Sequence, residues 1–362
     1  MISIISAACL FPSGPSLPLA DIASRLQFSL VRKHPLCVDR CGARVKASYF
    51  PEIVYELPEA RFRELTRQVL SELLERQPEL ETSAPHRVWV LLPSLSRPGM
   101  TAGTVSAVKN IIQESTTWDA SNIYVLHGGP AEITTVLETI AADKSQKGRV
   151  VEVLLAVDSW QPAPSLMWLD KQNLLHNALR RFRDYERPNP YGRVPSEGAA
   201  ALVLTSGPQV DAWSVIRGVG NADEDVLYSD EGVCLGKGLI RAAQAAMSAA
   251  GNPLLQSVIS DVNGEPYRAD EMGFALLKLS YRLAEGSTRE TPVLASGDLG
   301  SAGLLTHLSL VAWQLRSSIR TGNVLILSSS DDERRGAVVV SKGLREEENG
   351  NNDYYQRADA LP

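Results

Sequence analysis

Apolar residues along this chain fall into two rhythms: short runs that stay apolar throughout, and longer stretches with one apolar face. A run near 2–8 predicts a strand, and after a long irregular stretch Phe62, Leu65, Val69 and Leu73 mark the face of a helix near 58–77. Val88, Val90, Leu91 and Leu92 predict a strand at 86–92 buried on both faces. A helix near 103–114, a strand at 121–126, a helix at 131–142 and strands at 150–157 and 198–205 complete an order of β-α-β-α-β-α-β-β. The same order then recurs. Strands are expected near 211–219, 257–262, 292–296, 323–329 and 336–341, with helices at 237–250, 270–283 and 301–318. The last helix is apolar nearly all round, from Ala302 through Leu315, which places it between layers rather than at the surface.

A repeated order of this kind indicates duplication. Strands alternating with helices imply right-handed crossovers and a mostly parallel sheet in each copy, closed by an antiparallel last strand. The expected fold class is therefore α/β, with two mostly five-stranded mixed sheets around buried helices in an α-β-α-β-α layering. The expected division is 1–208 for the first half and 209–342 for the second, with a polar tail at 343–362, rich in Glu, Asn and Asp, expected to be disordered.

Composition narrows the function classes. The chain has 362 residues, a net charge of -6 and no run of Lys or Arg, which opposes nucleic-acid and anionic-membrane partners. The first residues, Met1 to Ser6, carry no positive region, and no window is long and apolar enough for a membrane span, so a cytoplasmic location is expected. Of the four cysteines, Cys9, Cys37, Cys41 and Cys234, only one pair is close in sequence, and it lacks the further ligands of a zinc site. His34, His86 and His176 fall in separate segments, and His307, inside the apolar helix, reads as a hydrogen-bonded core histidine. No metal and no cofactor is expected.

Three segments carry a family resemblance. Gly192-Arg193-Val194-Pro195-Ser196-Glu197-Gly198-Ala199-Ala200 resembles the Gly-Glu-Gly-Ala turn and strand of the β-ketoacyl synthase branch of the thiolase superfamily, with Ser196 where a Gly is usual. Val153 to Ser159 resembles that branch's strand ending in Gly-Val-Asp-Ser. Asp261-Val262-Asn263-Gly264-Glu265, with Asp270 and Glu271 downstream, is similar to its His-Gly-Thr loop. The element order agrees over roughly residues 1–342.

The resemblance implies a thiolase-like duplicated fold and a condensing site whose residues are altered here. The family's nucleophilic Cys sits between a buried strand and a buried helix, where the helix dipole and backbone N–H groups favour a thiolate. The matching positions are His127 and Gly128, in His127-Gly128-Gly129-Pro130, and neither offers a thiol or hydroxyl. Read without the family, this segment is a plain strand-to-helix turn. An esterase reading of His-Gly-Gly as an oxyanion pocket needs a serine elbow, and no Gly-x-Ser-x-Gly occurs. The family's first catalytic His matches Asn263, which can donate a hydrogen bond but cannot shuttle a proton, and which is equally a turn residue. The second matches Asp298, in Gly297-Asp298-Leu299-Gly300-Ser301-Ala302-Gly303, where a carboxylate opposes an enolate and reads more simply as a cap or structural acceptor.

The stretch 160–190 resembles the insert over the synthase tunnel. Leu166, Met167, Trp168 and Phe182, with Leu169, Leu174 and Leu175, are expected either to line an acyl pocket or to pack a dimer. The resemblance further implies a twofold interface formed by the strand at 121–126. The functional expectation is a non-catalytic partner or scaffold, a homodimer or a heterodimer with a thiolase-fold protein. Family settings for such a chain are partners that set product length for an active synthase, and accessories to toxin loading in bacterial secretion, with a secretion-system or effector partner. The alternatives are an active acyltransferase using His127, Asn263 and Asp298, and a binder of acyl thioesters without turnover.

Overall fold

A computed structural model describes residues 1–53, 57–143, 150–177 and 189–343. The expected disordered tail, apart from Gly343, and Phe182 lie outside the described residues.

In chain order the first part contains β1 (Ile2–Leu10), α1 (Leu17–Leu26), β2 (Val31–Val38), β3 (Arg44–Ser48), α2 (Pro58–Arg76), α3 (Glu79–Thr82), β4 (Arg87–Leu92), α4 (Ala102–Ser115), β5 (Ile123–His127), α5 (Glu132–Ala142), β6 (Val151–Ser159), α6 (Ala163–Lys171) and β7 (Glu197–Ser206). The second contains β8 (Ser214–Asp223), α7 (Lys237–Ala249), β9 (Leu255–Ile259), α8 (Pro266–Leu279), β10 (Leu283–Glu290), α9 (Val293–Ser296), α10 (Gly303–Arg316), β11 (Asn323–Ser329) and β12 (Arg334–Lys342).

Two five-stranded sheets form among the described residues, ordered β1-β7-β6-β4-β5 and β8-β12-β11-β9-β10. Strand for strand these orders are the same. In each, the fourth strand of the order pairs in parallel with both neighbours (β4 with β5 and β6; β9 with β10 and β11), and the second, which is the last in the chain, runs antiparallel to its two partners. The repeat expected from the apolar pattern is thus present in the topology.

Between the sheets lie α5 and α10, whose Ile133, Val136, Leu137, Leu304, Leu305, Leu308 and Val311 join residues of both sheets in one core. Helix α10 is enclosed on nearly every side. Its hydroxyls fit there because Thr306 and Ser309 donate back to the carbonyls of Ala302 and Leu305 at 2.8 and 2.9 Å. Helices α2 and α4 cover the outer face of the first sheet, α7 and α8 that of the second. The result is the five-layer α-β-α-β-α arrangement. Helix α4 is fixed at its start by Thr101, whose hydroxyl accepts the Thr104 N–H at 3.2 Å.

The pattern misleads in three places. The expected strand at 292–296 is the single turn α9, and the strand is β10 instead, which lies just before it in the chain's polar stretch Leu283–Glu290. An edge strand that is half exposed needs no apolar run, whereas Val293 and Ala295 are apolar because they sit against a cavity and the core. Helix α8 begins at Pro266, ahead of the expected 270, since proline suits a first turn. The stretch expected to be irregular before α2 holds α1 and the β2–β3 hairpin, hidden because Leu19, Ile22 and Leu26 on α1 and Leu36 and Val38 on β2 are exposed and blur the period.

Strand β8 lies directly on α7: a Cβ at Gly220 would stand 2.2 Å from the Ala242 carbonyl oxygen, and one at Gly218 2.1 Å from that of Ala246. Gly220→Ala must therefore part the strand from the helix, and is expected to cost about 1–3 kcal/mol in a urea unfolding titration. An unchanged midpoint would contradict this packing.

Candidate functional site

The loops at the ends of β4, β5, β6, β9 and β11 converge on a cavity of about 380 Å³ between the sheets. Its wall includes Gly128, Gly129 and Pro130 from the turn after β5, Asp158 and Trp160 after β6, and Ser296 to Ser301 before α10. Arg193, Arg268, Asp331 and His307 also reach it.

The turn His127–Pro130 enters α5, and every first-turn N–H there is already committed. Pro130 has none. Ala131 donates to the Ser330 hydroxyl at 3.2 Å, and Glu132, Ile133 and Thr134 donate back to Gly129, Pro130 and Ala131. Ser330 packs so closely that a Cβ on Gly129 would meet its hydroxyl oxygen at 2.3 Å. Gly128 has room for a Cβ, but its neighbour is Glu132, with a carboxylate oxygen 3.7 Å away. Burial pushes the Glu132 carboxyl upward, against the pull of Arg334. His127 turns elsewhere: its Nδ1 pairs with the Pro93 carbonyl at 3.0 Å.

Asn263 and Asp298 are brought together. Asn263 Nδ2 donates to Asp298 Oδ2 at 2.7 Å, Gly300 N–H donates to Oδ1 at 2.8 Å, and an Arg193 nitrogen stands 3.4 Å from Oδ2. Both carboxylate oxygens are therefore occupied as acceptors. Asn263 spends its own oxygen on the Glu265 N–H.

Arg193 is the hub. Only 1% of it is exposed. Its Nε donates to Glu265 at 2.7 Å and its two terminal nitrogens grip Asp331 at 2.8 and 3.0 Å, a fork-to-fork pair. Arg268 grips Asp331 from the other side at 2.9 Å and Asp261 at 3.2 Å. Burial pushes the Asp331 carboxyl up, but the two guanidinium charges outweigh it and hold it well below the usual carboxylate range. Across the cavity Arg97 forks onto Asp158 at 2.5 and 2.9 Å, and Asp158 also accepts the Ser301 N–H at 2.7 Å.

The sequence segment with the family-like turn sets this geometry. A Cβ at Gly192 would lie 2.4 Å from the Leu175 backbone, and one at Gly198 2.5 Å from the Leu10 carbonyl oxygen, so Arg193 and Glu197 are presented by a chain that fits no larger residue at its ends. Glu197 is fully buried and takes Arg61, the Ser159 hydroxyl and the Phe50 N–H. Burial raises its carboxyl despite Arg61.

Of the expected pocket residues, Trp168 lines the cavity. Leu166 is buried in a separate cluster with Leu169, Leu174 and Leu175, and Met167 is 68% exposed. Leu166, Met167 and Trp168 lie on one helix, α6, whose successive side chains point in different directions, so they do not share one wall. His307 corrects another expectation: it is buried, yet neither ring nitrogen has a hydrogen-bond partner among the described residues. Cys9 lies inside the core and not on the cavity, with burial first and Glu72 next raising its pKa. Cys234 lies near Glu224 and Glu271 in a cluster away from the cavity. There Cys234 accepts the Gly236 N–H, Glu224 accepts the Gly238 N–H, and Glu271 binds Arg335 and Ser329. The sequence reading did not single out Arg97, Arg193, Arg268 or Asp331, since a lone arginine in a loop gives no spacing signal.

No family model and no curated protein matches this sequence. Solved structures do. The chain is similar to an oxazolomycin ketosynthase domain from Streptomyces albus JA3453, with 14% identity, TM-score 0.71, and 95% of this chain and 75% of that one covered. It is also similar to the ketosynthase from module 6 of the bacillaene synthase of Bacillus subtilis 168 (12%, TM-score 0.72, 94% and 72% covered). A third is a ketosynthase in complex with its chain length factor from Xenorhabdus doucetiae (13%, TM-score 0.64, 94% and 98% covered). The fold is thus the thiolase-like fold of ketosynthases and chain length factors.

Arg193 holds three buried or half-buried carboxylates, so Arg193→Ala leaves them facing one another. A loss of about 3–5 kcal/mol is expected by chemical denaturation. A loss below about 1 kcal/mol, the scale of an exposed pair, would contradict the clamp.

Proposed function

We propose that this chain is a non-catalytic subunit of the ketosynthase fold that acts by pairing with another thiolase-fold protein. The observation that carries this reading is the state of the turn before α5. The chain offers His127 or Gly128 where the fold's nucleophile belongs, and the N–H groups from Ala131 to Thr134 are spent on Ser330 and on their own turn. Without a thiolate, and with the N–H groups from Ala131 to Thr134 already engaged, covalent acyl transfer at this position lacks its nucleophile and the oxyanion support of those groups. Asp298 and Asn263 are engaged with each other, which removes the remaining acid–base pair.

Structures of this fold titled as ketosynthase with chain length factor support a partner role, because chains from such pairs match this chain's architecture. The exposed edge for pairing is β5, the outermost strand of the first sheet, where Tyr124 is 44% exposed and Val125 and Leu126 are half-buried. An apolar, unpaired sheet edge suits strand pairing across a twofold axis. The secretion-accessory setting differs only in the partner, and purification from the native bacterium would separate the two: a synthase for one, a secretion component for the other.

Two measurements test the proposal. Intact-mass analysis after incubation with acetyl, malonyl and octanoyl thioesters is expected to show the unmodified chain. A stoichiometric acyl adduct overturns the non-catalytic reading. Sedimentation velocity at micromolar concentration is expected to give a dimer through β5, and a monomer would contradict self-pairing.

A further inference from the structure

We infer that the outer face of α1 is a docking surface for an acidic amphipathic helix of a partner protein. This goes beyond pairing through β5 and does not depend on it.

Helix α1 is apolar on two sides. Leu17, Ala20 and Ala23 are buried against the body of the chain, whereas Leu19, Ile22 and Leu26 face solvent, exposed by 49%, 45% and 73%. Positions i, i+3 and i+7 fall in one stripe along a helix. Phe28, just past the helix, and Leu294 on α9, which packs against α1, are also more than half exposed. Single exposed apolar residues are ordinary on a protein surface. Five gathered on one helix and its neighbours mark a place where another molecule sits.

Beside the stripe runs a groove of about 440 Å³. It is lined by Arg25 and Gln27 at the end of α1, and by Arg289, Glu290, Ile319 and Arg320 from β10 and the segment after α10. The face is separate from the features described above. None of the five apolar residues lines the central cavity. Helix α1 packs on β1, the edge of the first sheet opposite to β5, so pairing at β5 leaves this face open.

Charge selects the occupant. Arg25 is paired with the buried Asp21, and Arg320 with Glu290. Beyond those two pairs, Arg32 and Lys33, which follow Phe28 closely in the chain, and Arg289 in the groove are exposed and have no ion pair among the described residues. The rim is therefore positive on a chain whose net charge is -6. A second copy docking by the same face would set these cations against themselves, which opposes self-association here. A lipid surface could meet the stripe but has no ridge to fill the groove. An amphipathic helix meets both, with its apolar side on Leu19, Ile22 and Leu26 and its carboxylates toward Arg32, Lys33 and Arg289.

The probes are two fluorescent peptides of roughly 20 residues with leucine along one helical stripe, one carrying glutamate and the other lysine at the remaining positions. They are titrated by anisotropy into the full chain, into Ile22→Ser/Leu26→Ser and into Arg289→Glu. Saturable binding of the glutamate peptide is expected, at least about tenfold tighter than the lysine peptide and weakened at least about tenfold in the double variant. Arg289→Glu is expected to weaken it as well. Absence of saturable binding, equal affinity for the two peptides, or binding unaffected by the double variant overturns the inference. Co-sedimentation with phosphatidylglycerol vesicles that the double variant abolishes would assign the face to lipid instead, and a fall in the chain's own sedimenting mass in that variant would assign it to a second copy. Should the double variant not fold, the two peptides on the unaltered chain and Arg289→Glu decide. A monomer in the β5 experiment would leave the peptide titration unchanged, so the two readings fail separately.

Discussion

The interaction on which most of this structure depends is the grip of one buried guanidinium, Arg193, on Asp331 and Glu265, with Asp298 in range. Arg193 precedes the strand that closes the first sheet, and its three carboxylates come from the loops of the second. Such a cluster is costly to desolvate, and it persists only when every charge finds its counterpart. Here each does. The loops around the cavity are held by one another.

That satisfaction bears directly on chemistry. A helix N-terminus can stabilise a thiolate or an oxyanion only with N–H groups left to offer. At α5 the Ala131 N–H is given to Ser330 and the next three fold back onto the turn. Asp298 likewise accepts Asn263 and Gly300 and has no oxygen without a donor. Elsewhere in the cavity wall, His307, Trp160 and Arg97 keep nitrogens without a hydrogen-bond partner among the described residues.

The layer order and the duplication were legible because buried strands and the enclosed helix α10 write long apolar runs into the chain. Half-exposed β10 and the helix α1 write no such runs and were missed. The turn at His127–Pro130 and the positions Asn263 and Asp298 were found because glycine turns and loop lengths can be read in sequence. The ionic clamp was not. Its members are separated by up to 138 residues, and pairing over such distances is created only by the fold. The missing partners of His307 were equally invisible, since a histidine in an apolar helix looks the same whether or not it is satisfied.

The central claim is that the turn before α5 has lost its ability to stabilise negative charge. The direct measurement is the thiol pKa of Gly128→Cys, read from the pH dependence of alkylation. Gly128 admits a Cβ without a clash, and the new sulfur would stand beside Glu132 and beneath committed N–H groups. The account predicts a pKa above the free-cysteine value of about 8.5, with slow alkylation at neutral pH. A pKa depressed below about 7, as at a working helix N-terminus, would contradict it.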